Sequence, residues 1–299
     1  MVGGGMALCR RSALLPGVLF GILIWTAFGP KAALAEFEIQ ESQVEKGEVE
    51  VDYRGAVHWG FPKGEEEAAG AGGVVGALEE EAEGEFVRQS HDLEPQFGIT
   101  ERWLISFTLS ADEPLDRDFN VSAVEIENQY ELIEREGNGF GLAVTGAYGF
   151  ATRGGDADEI EFGPIAEFAA GSLLITTNTY LTALTGSNAD TDGLGFQYGW
   201  RAEYKIAPRW GAGVEMFGEI EDLSHAGTFN DQNHSIGPTL FYNPNSEDND
   251  VGGEADEDAG EDEIAGAPEM EFSFNVGLQF GLTDMTSDTA LKFQGSLGF

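Results

Sequence analysis

From Glu48 onward the chain alternates. Val49, Val51, Tyr53, Gly55, Val57, Trp59 and Phe61 occupy the odd positions, and Glu48, Glu50, Asp52, Arg54, Ala56, His58 and Gly60 lie between them. A period of two sustained over these residues predicts a strand with one face in an apolar phase and the other in water.

The same pattern returns along the rest of the chain, with turn residues between. Val87, Leu93, Pro95 and Phe97 oppose Arg88, Asp92 and Glu94, and Trp103, Ile105, Phe107 and Leu109 follow after a turn at residues 99–102. Val124, Ile126, Tyr130 and Leu132 oppose Glu125, Glu127 and Glu131. In the clearest segment Phe140, Leu142, Val144, Tyr148 and Phe150 oppose Gly139, Gly141, Ala143, Thr145 and Ala147. Ile160, Phe162, Ala166 and Phe168 oppose Glu159, Glu161 and Glu167, whereas residues 172–184 read as a strand of ambiguous facing. Phe196, Tyr198, Trp200 and Tyr204 oppose Gln197, Arg201, Glu203 and Lys205, and Trp210, Val214 and Met216 oppose Glu215 and Glu219. A weaker strand spans His234 to Tyr242, then Phe272, Phe274, Val276, Leu278 and Phe280 share a face, and the last strand carries Leu291, Phe293, Leu297 and Phe299.

A soluble β-sandwich also alternates, but its strands need not keep an apolar face for the 9 to 11 residues that a tilted membrane strand requires. The pattern therefore predicts an all-β fold, a transmembrane antiparallel up-and-down barrel of about twelve strands. Glycines such as Gly139, Gly141, Gly199, Gly211 and Gly213 fall at inward positions, where missing side chains would leave space. An even strand number puts both chain ends on one side, the periplasmic side in bacterial outer-membrane barrels. Trp103, Tyr130, Phe140, Tyr204, Trp210, Tyr242 and Phe299 then fall at periplasmic strand ends as an aromatic girdle.

The first 35 residues stand apart. Arg10 and Arg11, the apolar run from Ala13 to Phe28, and Ala33-Leu34-Ala35 form a secretory signal with a cleavage site. The expected organisation is a signal peptide over residues 1–35 and a barrel over residues 36–299, in the outer membrane of a Gram-negative bacterium. Cleavage after Ala35 removes three of the 15 basic residues and none of the 54 acids, along with Cys9, the only cysteine. Thiol catalysis, disulfide scaffolds and cysteine metal sites are thereby excluded for the mature chain. A formal charge of -39 before cleavage argues against nucleic acid, which demands a basic footprint.

The final residues, Ala290-Leu291-Lys292-Phe293-Gln294-Gly295-Ser296-Leu297-Gly298-Phe299, resemble the terminal strand of bacterial outer-membrane barrels. The resemblance implies an assembly signal ending on Phe299, read by the barrel-assembly machinery, with outer-membrane lipid as the other partner. Leu93 to Trp103, Asn178, Tyr204 to Trp210 and Phe280 to Asp284 further resemble the outer-membrane transporter family labelled phenol-degradation meta-pathway proteins. That resemblance implies a β-barrel with a transport role and carries no catalytic or binding residue. Two acidic low-complexity loops, 64–85 and 244–268, depart from the family pattern and read as solvated insertions.

Candidate chemistry is sparse. His58, His91, His225 and His234 are the only imidazoles; His225 sits beside Ser224 and near Asp222, which is local composition rather than a hydrolase motif. No enzyme, cofactor or defined metal site is expected. Asp248 to Gly252 lacks the full calcium-loop ligand spacing, so the acidic runs suit only loose accumulation of divalent cations. The lumen is more informative. The inward positions predict sixteen acids, with Glu125, Glu127, Glu159, Glu161, Glu167, Glu203, Glu215 and Glu219 among them, against Arg54, Arg88, Arg201, Lys205 and Lys292. Such an excess would attract cations and repel anions. The sequence thus points to a passive channel or facilitator, cation-preferring if its lumen is open; the alternative is a sealed structural or surface-binding barrel.

Overall fold

The computed structural model describes residues 37–61, 86–189, 193–244 and 270–299. They form twelve strands: β1 (Val49–Trp59), β2 (Val87–Thr100), β3 (Trp103–Pro114), β4 (Asn120–Ile133), β5 (Gly139–Ala151), β6 (Asp158–Ala170), β7 (Leu173–Thr185), β8 (Gly195–Ala207), β9 (Trp210–Ile220), β10 (Asn233–Tyr242), β11 (Glu271–Gly281) and β12 (Thr289–Gly298). Each strand pairs antiparallel with its sequence neighbours, and β1 pairs with β12 to close the barrel. Closure leaves no edge whose backbone groups would go unpaired, the condition for crossing lipid with strands. Fold and strand number agree with the alternation in the sequence.

The seam runs from Glu50 opposite Gly298 to Trp59 opposite Thr289. Val49 and Phe299 extend it: Phe299 N donates to Val49 O at 2.9 Å and Val49 N to Phe299 O at 3.4 Å. The end of the barrel holding this pair is called the terminal end below, and the opposite rim the far end.

Facing follows the pleat. Tyr53, Phe107, Ile126, Phe140, Phe162, Tyr204, Val214, Phe272 and Phe280 are exposed on the outer wall, while Asp52, Arg54, Glu94, Ser106, Glu127, Ala143, Glu215 and Lys292 are buried on the inner one. This inverts the usual soluble arrangement and is stable only if the outside solvent is apolar. Trp103, Tyr130, Phe140, Tyr204, Trp210 and Phe299 are exposed around the terminal end, where Trp210 and Tyr242 pack with ring centroids 4.6 Å apart.

Two local features were not legible beforehand. β7 resolves with Thr176, Asn178, Tyr180 and Thr182 inward, paired with Arg201, Gly199, Gln197 and Gly195 of β8. A register shift between Val87 and Gln89 reverses the facing at the far end of β2. Arg88, expected in the lumen, is consequently exposed and donates to Leu115 O, while Val87 turns toward the interior. The leader (1–35), the acidic run at 64–85 and, apart from Pro244, the run at 244–268 lie outside the described residues.

Candidate functional site: the barrel lumen

The lumen is not empty. Residues 37–46 precede β1 without joining the sheet and run through the interior, from Phe37 in the far half to Gly47 at the terminal end. The segment carries Glu38, Gln40, Glu41, Ser42, Gln43 and Glu45, so in water it would stay solvated. Inside the barrel the side chains of Glu38, Gln40, Glu41, Ser42 and Gln43 find partners instead, as buried polar atoms require.

The contacts form a ladder. Phe37 stacks on His58 at 5.6 Å and meets the edge of Phe217 at 5.2 Å. Arg54 of β1 donates to Glu38 at 2.7 Å and also to Glu94 of β2. Asn178 of β7 bonds the Gln40 backbone in both directions, at 2.7 and 3.0 Å. The Gln40 side chain donates to Glu127 of β4 at 2.8 Å and accepts from the Tyr180 hydroxyl at 3.0 Å. Gln129 donates to Glu41 O at 3.0 Å, Arg201 to the Glu41 carboxylate at 2.9 Å, and Ser42 to Glu167 at 2.7 Å. Strands β1, β4, β6, β7 and β8 are thus tied to one stretch of chain crossing the space between them.

Two glycines are the seats of this segment. A β-carbon at Gly199 would lie 3.1 Å from Glu38 O and 3.2 Å from Ile39 Cγ1, and one at Gly98 would overlap Glu45 O. Gly98 also exchanges backbone hydrogen bonds with the segment's exit, accepting from Gly47 N at 2.8 Å and donating to Glu48 O at 3.0 Å. The expectation that inward glycines leave open space is therefore corrected at Gly199, Gly141, Gly211 and Gly213: the Gly199 space is filled by Glu38 and Ile39, Ser42 Oγ stands 2.6 Å from the β-carbon position of Gly141, the Glu203 side chain occupies the space at Gly211, and the Ala202 carbonyl that at Gly213.

On either side of the segment lies a chamber. The terminal-end chamber, about 440 Å³, is lined by Glu48, Glu50, Asp52, Gln96, Glu203 and Gln294. The far-end chamber, about 250 Å³, is lined by His58, Glu159, Glu161, Tyr180, Phe217 and Gln279, with Phe37 and Glu38 at its base.

Glu125, Glu127, Glu159, Glu161, Glu167, Arg201, Glu203, Lys205, Glu215 and Glu219 sit on inner-wall register positions, whereas Arg88 does not. Glu125, Glu127, Glu159, Glu167, Arg201 and Glu215 are buried, and Glu161, Glu203, Lys205 and Glu219 half-buried. Glu167 takes Ser42 and Arg135, the latter at 3.2 Å. Glu215 takes Lys292 and Thr239, both at 2.6 Å, and Lys292 also stands 5.3 Å over the Phe217 ring. Arg201 lies between Glu41 and Glu203, 3.9 Å from the latter. Arg153 is bound to Asp112. Arg54, Arg153, Arg201 and Lys292 are thus engaged, whereas among the described residues Glu125, Glu127 and Glu161 have no ion-pair partner. Sequence reasoning missed Glu38 and Glu41, which add two more carboxylates to the same interior.

The histidines divide. His91 and His234 lie on the outer wall, bonded to Tyr53 at 2.8 Å and Tyr198 at 3.0 Å. His58 faces inward and is bonded to Ser287 Oγ at 2.9 Å. The turn after β9 does gather Asp222, Ser224 and His225: Asp222 accepts from Ser224 Oγ at 2.6 Å, and both residues meet His225 Nδ1, at 2.8 and 3.0 Å. A hydrolytic relay needs the acid and the nucleophile on different ring nitrogens. Here they share one, on an exposed turn, and the bonds from Ser224 and His225 pull the Asp222 carboxyl down to about 2. The Asp248 to Gly252 stretch lies outside the described residues.

No family model and no curated protein matches the chain. Among solved structures it is similar to the KdgM porin in complex with disordered oligogalacturonate, at 8% identity and TM-score 0.46, covering 84% of this chain and 98% of that one. It is also similar to the outer membrane protein OprD from Pseudomonas aeruginosa, at 9% identity and TM-score 0.35, covering 72% of this chain and 60% of that one.

Proposed function

We propose that the chain is an outer-membrane barrel of a Gram-negative bacterium acting as a passive, cation-preferring channel or facilitator, with residues 37–46 as the element that closes it. The continuous apolar outer wall and the aromatic ring at the terminal end support the location, with that end facing the periplasm. Outer-membrane lipid and the barrel-assembly machinery are the partners this reading requires, and Phe299 is the assembly signal; loose accumulation of divalent cations at the acidic runs is consistent with it.

The observation that carries the channel reading is the pair of chambers, about 250 and 440 Å³, on the two sides of a single unpaired stretch of chain. A barrel built only as a structural shell has no need of hydrated space at both ends. Cation preference rests on Glu125, Glu127 and Glu161, whose charge no wall cation offsets through an ion pair. The sealed alternative is favoured by one specific observation, the ladder of buried bonds holding Gln40, Glu41 and Ser42.

The test is the reversal potential of refolded protein in a planar bilayer under a KCl gradient. The reading expects the sign of potassium preference, stronger at low ionic strength, where screening is weaker. A chloride-selective potential contradicts the selectivity, and a barrel that never conducts transfers the function to the sealed alternative.

A further inference from the structure

The far-end chamber brings together three chemistries. Glu161 and Glu159 stand on β6 as a wall of carboxyl groups. Phe37, Phe217 and Tyr180 give flat apolar surface beside it. Gln279 of β11 is 1% exposed, lines the chamber, and neither its amide nitrogen nor its amide oxygen has a hydrogen-bond partner. A buried carboxamide with both ends unpaired is unfavourable and rare in folded proteins, so it points to a group that arrives from outside the chain. In a ring of twelve strands β11 lies five strands from β6, almost across the lumen. Donor and acceptor on one wall therefore confront carboxylates on the other, with aromatic surface between.

We propose that this chamber binds a small organic cation: an amine whose charge meets Glu159 and Glu161, whose flat apolar body lies against Phe217 and Phe37, and whose opposite end carries a hydrogen-bonding group for Gln279. The volume, about 250 Å³, suits a small ligand. Aromatic faces beside carboxylates also favour cations through the ring quadrupole. The site deepens the channel reading and rests on it for its biological use, because a ligand held there stands directly on the closing segment at Phe37 and Glu38.

Isothermal titration of the refolded, full mature barrel in detergent tests the site with probes that each delete one feature. Tyramine carries all three. Phenethylamine lacks the hydroxyl, p-cresol lacks the ammonium, and 4-hydroxyphenylacetate reverses the charge. Tyramine is expected to bind, with phenethylamine at least fivefold weaker, p-cresol at least tenfold weaker, and 4-hydroxyphenylacetate without measurable heat. Gln279→Leu should erase the difference between tyramine and phenethylamine, and Glu161→Gln should weaken both amines at least fivefold. Heat-modifiable migration on gels checks that each variant is folded, and the wild-type series stands alone if one is not. Absence of tyramine binding, equal affinity for all four probes, or binding indifferent to both substitutions overturns the proposal. Tyramine binding to a barrel that never conducts would end the channel reading and leave the site; conduction without tyramine binding would do the reverse.

Discussion

Asn178 holds the backbone of Gln40 as a neighbouring strand would, accepting from Gln40 N at 2.7 Å and donating to Gln40 O at 3.0 Å. Asn178 is fully buried, so both bonds are shielded from water. Leaving a buried amide and carbonyl unpaired costs about 1–3 kcal/mol each. Asn178→Ala should therefore favour the undocked segment; even about 2 kcal/mol shifts the docked-to-undocked ratio roughly 30-fold. Amide hydrogen exchange at residues 38–43 should accelerate while the β5 amides stay protected. Unchanged exchange at Gln40 would mean that other rungs carry the docking.

Gly199→Val approaches the same contact from the other side. Its side chain would enter the space held by Glu38 O and Ile39 Cγ1 without touching the sheet hydrogen bonds. Exchange at residues 38–41 should again rise, and a barrel that folds normally with the segment fully protected would contradict the seat assigned to Gly199.

How much of this was legible in the sequence follows from where the apolar solvent lies. The outer wall had to be apolar in lipid, so positions such as Phe140, Phe162 and Phe280 announced their strands and facing. The inner wall is polar, so a polar segment can be buried there without any hydrophobic signature. Residues 37–46 were invisible for that reason, since Glu38, Gln40 and Glu41 read as solvated chain. β7 was ambiguous because Thr177 and Thr179 face outward while Thr176 and Thr182 face inward. Asn178 stood out only through a family resemblance; its partner Gln40 explains why an amide belongs there. Arg88 was misplaced because alternation cannot foresee a bulge.

The lipid belt can be probed at adjacent positions of contrasting wall. Val144 lies on the outer wall near the centre of β5, where an arginine should cost roughly 2 to 4 kcal/mol if it sits at the bilayer midplane. Thr145, next along the strand, is 1% exposed inside and too tightly packed to serve as the tolerant control. Gln197, on the wall of the far-end chamber, is suitable. Equilibrium unfolding in lipid vesicles should show the penalty for Val144→Arg and little for Gln197→Arg; equal losses would remove the lipid-facing assignment.

Phe299 combines a terminal aromatic ring with the backbone bonds that close the seam to Val49. Phe299→Ala keeps those bonds and deletes only the ring. If the ring is the assembly signal, outer-membrane insertion in cells should fall several-fold while refolding into detergent in vitro proceeds normally. Loss of both would assign the ring to the stability of the folded barrel and not to an assembly signal.

Acid should act on selectivity before it acts on the fold. Protonating the lumen carboxylates removes the charge that draws cations inward, so the potassium preference should shrink as pH falls. Replacing Glu125, Glu127, Glu159 and Glu161 together with glutamine should reproduce the acid effect at neutral pH. Neutralising the same number of acids within residues 247–263 should not. A pH-independent reversal potential would place the selectivity elsewhere.

The central claim is that, among the described residues, the segment 37–46 separates the two chambers, and bilayer conductance of the refolded barrel with and without residues 37–45 tests it most directly. The deletion should convert a mostly closed protein into one with long-lived, cation-selective openings, and a peptide of residues 36–46 added from one side should block them. Equal conductance of the two proteins, whether both closed or both open, would contradict it.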